Sequence, residues 1–206
     1  MPRAPRRDRL VERLVAYHRK PDQPTRLELF ELAINTLDSS INRPNILAYE
    51  GYGAQVPFHE DVDSFGRILT AGNRAGKTDA MVVEFIWTAS DTHPYFVRPE
   101  KWGLGPLQLR IIVVDISKGV EQIMLPKFKR WMTPGMMVDG SWEKSWDSKI
   151  LILPFSNGST IDFLTYAMTL EKHGGVPRHL IGFDEEPPGT ILNEGMMGLM
   201  DFDGRW

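Results

Sequence analysis

Cysteine is absent from the 206 residues, which removes disulfides, thiolate zinc centres and a cysteine nucleophile from consideration and agrees with a reducing compartment. No apolar run approaches the roughly 18 residues that a membrane-spanning helix requires. The Arg6-Arg7 pair looks like the start of a twin-arginine export signal, but Glu12 and Arg13 interrupt the place where such a signal would carry its apolar stretch. The cytoplasm is therefore the expected location. Internal repeats and low-complexity tracts are also lacking, so the chain is read as one globular unit.

What is present is ordinary for a folded protein. Hydrophobic residues make up 42% and charged residues 25% of the chain, and the length suits one α/β domain with an appendage. The net charge of −3 conceals a basic start, where Arg3, Arg6, Arg7, Arg9, Arg13, Arg19 and Lys20 crowd together. Such a run either binds phosphate backbone or stays solvated, and solvated surface is the commoner outcome.

Hydrophobic spacing predicts an amphipathic helix carrying Leu10, Val11, Leu14, Val15 and Tyr17, then a second helix with Leu27, Phe30, Ile34, Leu37 and Ile41 on one face. Thr25 stands three residues ahead of Glu28 as in a capping box, and the second helix should stop near Asn42, because Arg43 precedes Pro44. Residues 1–48 thus form an expected N-terminal helical segment, and 49–206 the main domain. In the latter, residues 68–70 read as a short strand, a glycine-bearing loop follows, and Met81, Val82, Phe85, Ile86 and Ala89 mark a helix. Residues 109–116 are almost continuously apolar, as in a central strand covered on both faces. A helix over 118–131 follows, with Pro126 as a kink or stop. Residues 150–155 and 160–164 flank Asn157-Gly158, a hairpin signal. A last apolar stretch over 180–183 ends on Asp184-Glu185-Glu186.

Ala71-Gly72-Asn73-Arg74-Ala75-Gly76-Lys77-Thr78 fits a phosphate-binding loop, with Ala71 where a first glycine is usual. Glycine lets backbone N–H groups close around a phosphate, the lysine adds positive charge against the β- and γ-phosphates, and the threonine hydroxyl ligates magnesium at the helix N-terminus. A surface turn with a stray lysine is the plain alternative, but a chain of this length meets the pattern by chance only roughly one or two times in a hundred. The apolar strand at 180–183 supplies the partner such a loop needs. It delivers Asp184 to a magnesium shell, and Glu185 is the carboxylate that can take a proton from an attacking water. Upstream, the amide of Gln55 in Gln55-Val56-Pro57-Phe58-His59 offers one donor and one acceptor to an adenine edge, while His59 reads as structural. Arg74 inside the loop is a candidate for stabilising γ-phosphoryl charge, and Arg178 is a possible arginine finger that could equally be a salt-bridge partner. Asp201 and Asp203 read as a turn into a further strand, since no third ligand completes a metal pair.

Together, Gln55-x-x-Phe58-His59, Gly72 to Thr78 and Gly182-Phe183-Asp184-Glu185-Glu186-Pro187-Pro188 resemble the adenine motif, phosphate loop and acidic strand end of the large terminase subunits of tailed bacteriophages. The Asn157-Gly158-Ser159 hairpin and the Gly174-Gly175 turn resemble that family too. The resemblance spans about residues 50–206. It implies an ASCE-type P-loop NTPase, an α/β fold with a mainly parallel sheet flanked by helices, in which the 109–116 strand lies between the two ATP-motif strands. It further implies ATP and Mg2+ as cofactors and an ATPase that packages double-stranded DNA. The implied partners are a portal protein, a small terminase subunit and further copies in a ring on the procapsid, in the host cytoplasm. The family's coupling motif and nuclease domain would lie beyond Trp206, so DNA cutting is not expected of these residues. Two other readings share the phosphate loop and Asp184-Glu185: an unrelated ASCE helicase-like or partitioning motor, and a nucleotide-binding interaction module without turnover.

Overall fold

The computed structural model describes residues 45–72 and 74–206. The two helices expected before residue 45 lie outside the described residues, as does Asn73.

The sheet has four strands: β1 Gln108–Val113, β2 Ile152–Pro154, β3 Thr160–Thr165 and β4 Leu180–Phe183, in the order β2-β3-β1-β4. β1 runs parallel to both neighbours, with Ile111 opposite Phe163 on one side and Gly182 on the other, and β2 is antiparallel to β3. The helices are α1 Gln55–Glu60, α2 Lys77–Ser90, α3 Leu125–Trp131, α4 Trp142–Ser145, α5 Leu170–His173 and α6 Gly189–Leu199. The expected α/β architecture with a largely parallel sheet is borne out.

Period-two alternation assigns the sheet faces. Leu109, Ile111 and Val113 of β1 join Phe163, Val82, Val83, Phe85, Ile86 and Phe128 in the larger core, beneath α2 and α3. Ile112 and Ile181 point the other way and pack with Ile191 and Leu199 of α6. Each large apolar side chain so buried contributes about 1.5 to 3 kcal/mol relative to exposure. Gly182 is required by close approach: a Cβ there would stand 2.7 Å from Phe85 Cε2, so only glycine lets β4 lie this near α2.

β1 is central, as its apolar run predicts, but it stops at Val113. Asp115 begins the next helix instead, accepting the Lys118 N–H at 2.7 Å. That helix is π-type over Ile116–Met124, and the Leu125 N–H reaches the Val120 carbonyl five residues back. It becomes α-helical at Pro126, whose missing N–H breaks the regular ladder. The hairpin forms where Asn157-Gly158 predicts it, with Asn157 Oδ1 accepting the Ser159 N–H at 2.9 Å and Gly158 at φ 86°.

Two expectations are corrected. Residues 68–70 do not form a strand, and Ile68 is 73% exposed. Pairing in this region is limited to the Arg67 N–H on the Trp206 carbonyl and the Trp206 N–H on the Phe65 carbonyl, too short a ladder for a strand to extend. Nor does the 109–116 segment lie between the two ATP-motif segments. β1 sits between β3 and β4, and the place beside β4 is taken by Arg205, which bridges Leu180 in parallel and leads to Trp206. Asp201 and Asp203 do lie in a turn leading into this bridge.

Glu84, on α2 and 4% exposed, ties these parts together. Its carboxylate accepts from His59 Nδ1 of α1 at 2.7 Å and His93 Nε2 at 2.9 Å, and from Arg67 Nη2. Burial would raise this carboxyl, but the hydrogen bonds from His59 and His93 and the charges of His93 and Arg67 outweigh it and hold it well below the usual carboxylate range. Because the folded state favours the ionised form, this stabilisation is present above the ordinary glutamate value of about 4.3 and is lost as pH falls below it. At pH 7, Glu84→Gln should destabilise the fold by about 3 to 5 kcal/mol, because it leaves Arg67 buried without a counter-charge. In urea titrations the gap between parent and variant should narrow as pH drops below about 4. A gap of under about 1 kcal/mol at neutral pH would contradict this account.

Candidate active site

The phosphate loop turns twice through left-handed backbone, at Arg74 with φ 65° and at Gly76 with φ 74°. Glycine is needed at the second turn for a further reason. A Cβ there would stand 2.5 Å from Gln55 Nε2 and 2.6 Å from the Tyr52 hydroxyl. Ala71 is not in the left-handed region, which explains why the loop forms without its usual first glycine. Arg74 is exposed, and its backbone conformation costs a non-glycine residue about 1 to 3 kcal/mol, a strain typical of ligand-binding loops.

α2 begins directly at Lys77, so the loop ends on the N–H-bearing end of a 14-residue helix, where partial positive charge favours an anion. Lys77 Nζ donates to the carbonyls of Ala71 at 2.6 Å and Gly72 at 3.1 Å, so the ammonium spans the loop. Thr78 follows in the first helical turn. The next residue, Asp79, is gripped from α3 by Lys127 Nζ and by Trp131 Nε1 at 3.1 Å.

Gln55 reaches this loop. It is 2% exposed, donates through Nε2 to the Gly76 carbonyl at 2.9 Å and accepts from the Tyr49 hydroxyl at 3.1 Å and the Tyr52 N–H at 3.2 Å. The amide braces the loop through these bonds, and its expected reading of an adenine edge stays a proposal. His59 is structural, as expected: it is 1% exposed, between Glu84 and the Tyr49 hydroxyl.

β4 carries Asp184 to the same end of the sheet, where its N–H donates to the Ile112 carbonyl at 2.9 Å. Burial and then the Glu185 charge push the Asp184 carboxyl above the usual range, and the Lys77 charge pulls it back. Lys77 and Asp184 therefore lie within electrostatic reach of each other. Glu185 adopts φ 75°, a second strained non-glycine residue at this edge. Sequence reasoning missed Tyr166, which directly follows β3 and whose hydroxyl donates to the Asp184 and Glu185 carbonyls at 3.1 and 3.0 Å. No motif announces it, because its contact depends on strand order.

The donor set fits magnesium. Thr78 and Asp184 offer hard oxygen ligands, and the Glu185 charge beside Asp184 is a local excess of negative charge that a cation would relieve.

Arg178 is not brought to this edge. It precedes β4, at the end of the strand opposite Asp184, and its side chain is 8% exposed. Its Nη2 donates to Asp162 Oδ2 at 2.6 Å, and Asp162 also holds Arg110 at 2.7 Å. Burial would raise the Asp162 carboxyl, but the two arginines lower it on balance. The salt-bridge alternative is present, with the guanidinium buried against a carboxylate of the same chain, and the arginine-finger role stays a proposal.

No family model matches the sequence, and no curated protein matches it. Solved structures do. The large terminase ATPase domain of Thermus phage P74-26 is 14% identical, with a TM-score of 0.55. An arginine-to-alanine variant of the same domain gives 0.54 at the same identity. In each case the match covers 78% of this chain and 64% of the other, so the chain spans less than two thirds of the length of those structures. The likeness shows that the fold is that of a phage large terminase ATPase domain, in line with the family resemblance of the sequence.

Three substitutions test the site. Lys77→Ala should abolish measurable binding of a fluorescent ATP analogue, and Asp184→Asn should weaken its magnesium dependence. Glu185→Gln should keep the affinity while lowering turnover by about 100-fold or more. Unchanged affinity in folded Lys77→Ala would mean that this loop is not the nucleotide site. Inactivity of Glu186→Gln with normal Glu185→Gln would shift the catalytic register by one residue.

Proposed function

We propose that this chain is the ATP-hydrolysing motor domain of a large terminase, which drives double-stranded DNA into a procapsid. The observation that supports the reading is that Lys77, at the start of α2, and Asp184, directly after β4, lie close enough for the Lys77 charge to act on the Asp184 carboxyl. In this reading they are the phosphate-binding cation and the metal-binding carboxylate of a terminase-like ATPase fold.

In this reading the N–H groups of residues 72–78, Asn73 among them, cradle the phosphates, and Lys77 leaves its loop carbonyls to neutralise the β- and γ-oxygens. Gly72, Ala75 and Gly76 admit the close approach. Thr78 and Asp184 would hold Mg2+, which would supply charge neutralisation on the bound phosphates. Glu185 orients the attacking water and takes its proton. Arg74, exposed on the same loop, stabilises charge developing on the γ-phosphoryl group. Ring neighbours would supply further charge, since an arginine from another subunit is worth about 10³ to 10⁵ in rate in other P-loop enzymes. The partners that go with this reading are double-stranded DNA, a portal protein, a small terminase subunit and further copies of the chain, met in the host cytoplasm and at the procapsid.

The test is phosphate release with and without double-stranded DNA, alongside capture of the purified chain on portal rings. Slow MgATP turnover together with portal retention is expected. A folded chain that binds ATP without turning it over would be an interaction module instead, and turnover without portal binding would point to a different DNA motor.

A further inference from the structure

The turn after β4 has an unusual geometry. In an extended strand, successive carbonyls point to opposite sides, yet the Asp184 and Glu185 carbonyl oxygens both lie within 3.1 Å of the single Tyr166 hydroxyl oxygen. They can converge because Glu185 adopts left-handed backbone at φ 75°, a conformation that a non-glycine residue keeps only when its surroundings enforce it.

Tyr166 is well placed to enforce it. Its own N–H donates to the Val113 carbonyl at 3.0 Å, which fixes its backbone to the end of β1. Its ring packs against the smaller core of Ile112, Ile181, Ile191 and Leu199. The side chain therefore reaches from β3 past β1 to the end of β4, and its one O–H proton is shared between two carbonyls of the same turn.

We propose that Tyr166 is a positioning residue for hydrolysis: its hydroxyl holds the left-handed turn at Glu185 and so fixes the direction in which the Glu185 carboxylate leaves the strand. The inference rests on Glu185 being the carboxylate that activates water. Nucleotide binding is assigned to the phosphate loop, Lys77 and Thr78, with Asp184 holding magnesium through its carboxylate, whereas the Tyr166 hydroxyl meets only the backbone carbonyls of Asp184 and Glu185. Loss of the hydroxyl should therefore affect turnover and spare affinity.

The experiment compares parent, Tyr166→Phe and Glu185→Gln in the full chain, with magnesium and a fluorescent ATP analogue for affinity and single-turnover hydrolysis of radiolabelled ATP for rate. Tyr166→Phe should bind within about twofold of the parent and hydrolyse at least about tenfold more slowly. Thermal melting accompanies the kinetics. If the variant fails to fold, site-specific Tyr166→fluorotyrosine keeps the ring and alters donor strength, and should change the rate at constant affinity. A rate within about twofold of the parent in either variant overturns the inference, as does a parallel loss of rate and affinity, which would mark a merely structural tyrosine. A parent that does not turn over at all, or a Glu185→Gln variant as fast as the parent, sinks the reading of Glu185 and this inference with it. An active parent, an inactive Glu185→Gln and a parent-like Tyr166→Phe sink only the role of Tyr166.

Discussion

The buried carboxylate of Glu84 is the constraint on which the site depends. The phosphate loop lies between Arg67 and the helix that Lys77 begins, and Arg67 is bound to Glu84 on that helix. One carboxylate thus ties the segment before the loop to the helix after it. Through His59 it also fixes α1, from which Gln55 reaches the Gly76 carbonyl. Removing a buried partner of this kind costs far more than losing a surface ion pair, because the remaining charge stays desolvated. The glycine-bearing loop is thus anchored at its base.

The other half of the site is anchored by sheet geometry. β4 is held by β1 on one side and by the Arg205 bridge on the other, and Gly182 lets it approach α2 closely enough for Asp184 to feel Lys77. Asp79 is held by Lys127 and Trp131, which fixes the first turn of α2 against α3. Arg74 and Glu185 adopt left-handed backbone here, as Asp91, Asp139, Leu151 and Asp203 do elsewhere, and in the proposed reading their side chains act on the terminal phosphate and the attacking water. Cation, carboxylates and helix end are thereby presented together before any ligand arrives, which is the preorganisation that phosphoryl chemistry exploits.

Much of this was legible in the sequence, because the signals are local. The apolar 109–113 run, the Asn157-Gly158 turn and the apolar 180–183 stretch ending in acids each carry their own periodicity or turn chemistry, and the structure has an element at each. What failed depended on distant neighbours. Ile68 belongs to a β-like tripeptide, but a strand needs a ladder partner, and its neighbourhood offers only Trp206. The position of β1 in the sheet follows from strand order, which hydrophobic patterning does not encode. Gln55 and Arg178 have the right chemistry for a ligand, and the structure gives each a buried partner that the local sequence does not announce, Gly76 for Gln55 and Asp162 for Arg178. Tyr166 went unnoticed for the converse reason, since its chemistry is unremarkable until β3 and β4 are set on either side of β1.

The central claim is that the loop before α2 and the acidic end of β4 form one metal–nucleotide site. Manganese with ADP, added to isotopically labelled chain, tests it most directly through paramagnetic broadening of backbone amide signals, which falls off steeply with distance from the ion. The account predicts that the amides of Thr78 and Asp184 broaden together at low manganese, and only when ADP is present, while those of β2 stay sharp. Broadening of one without the other, or of neither, would contradict it.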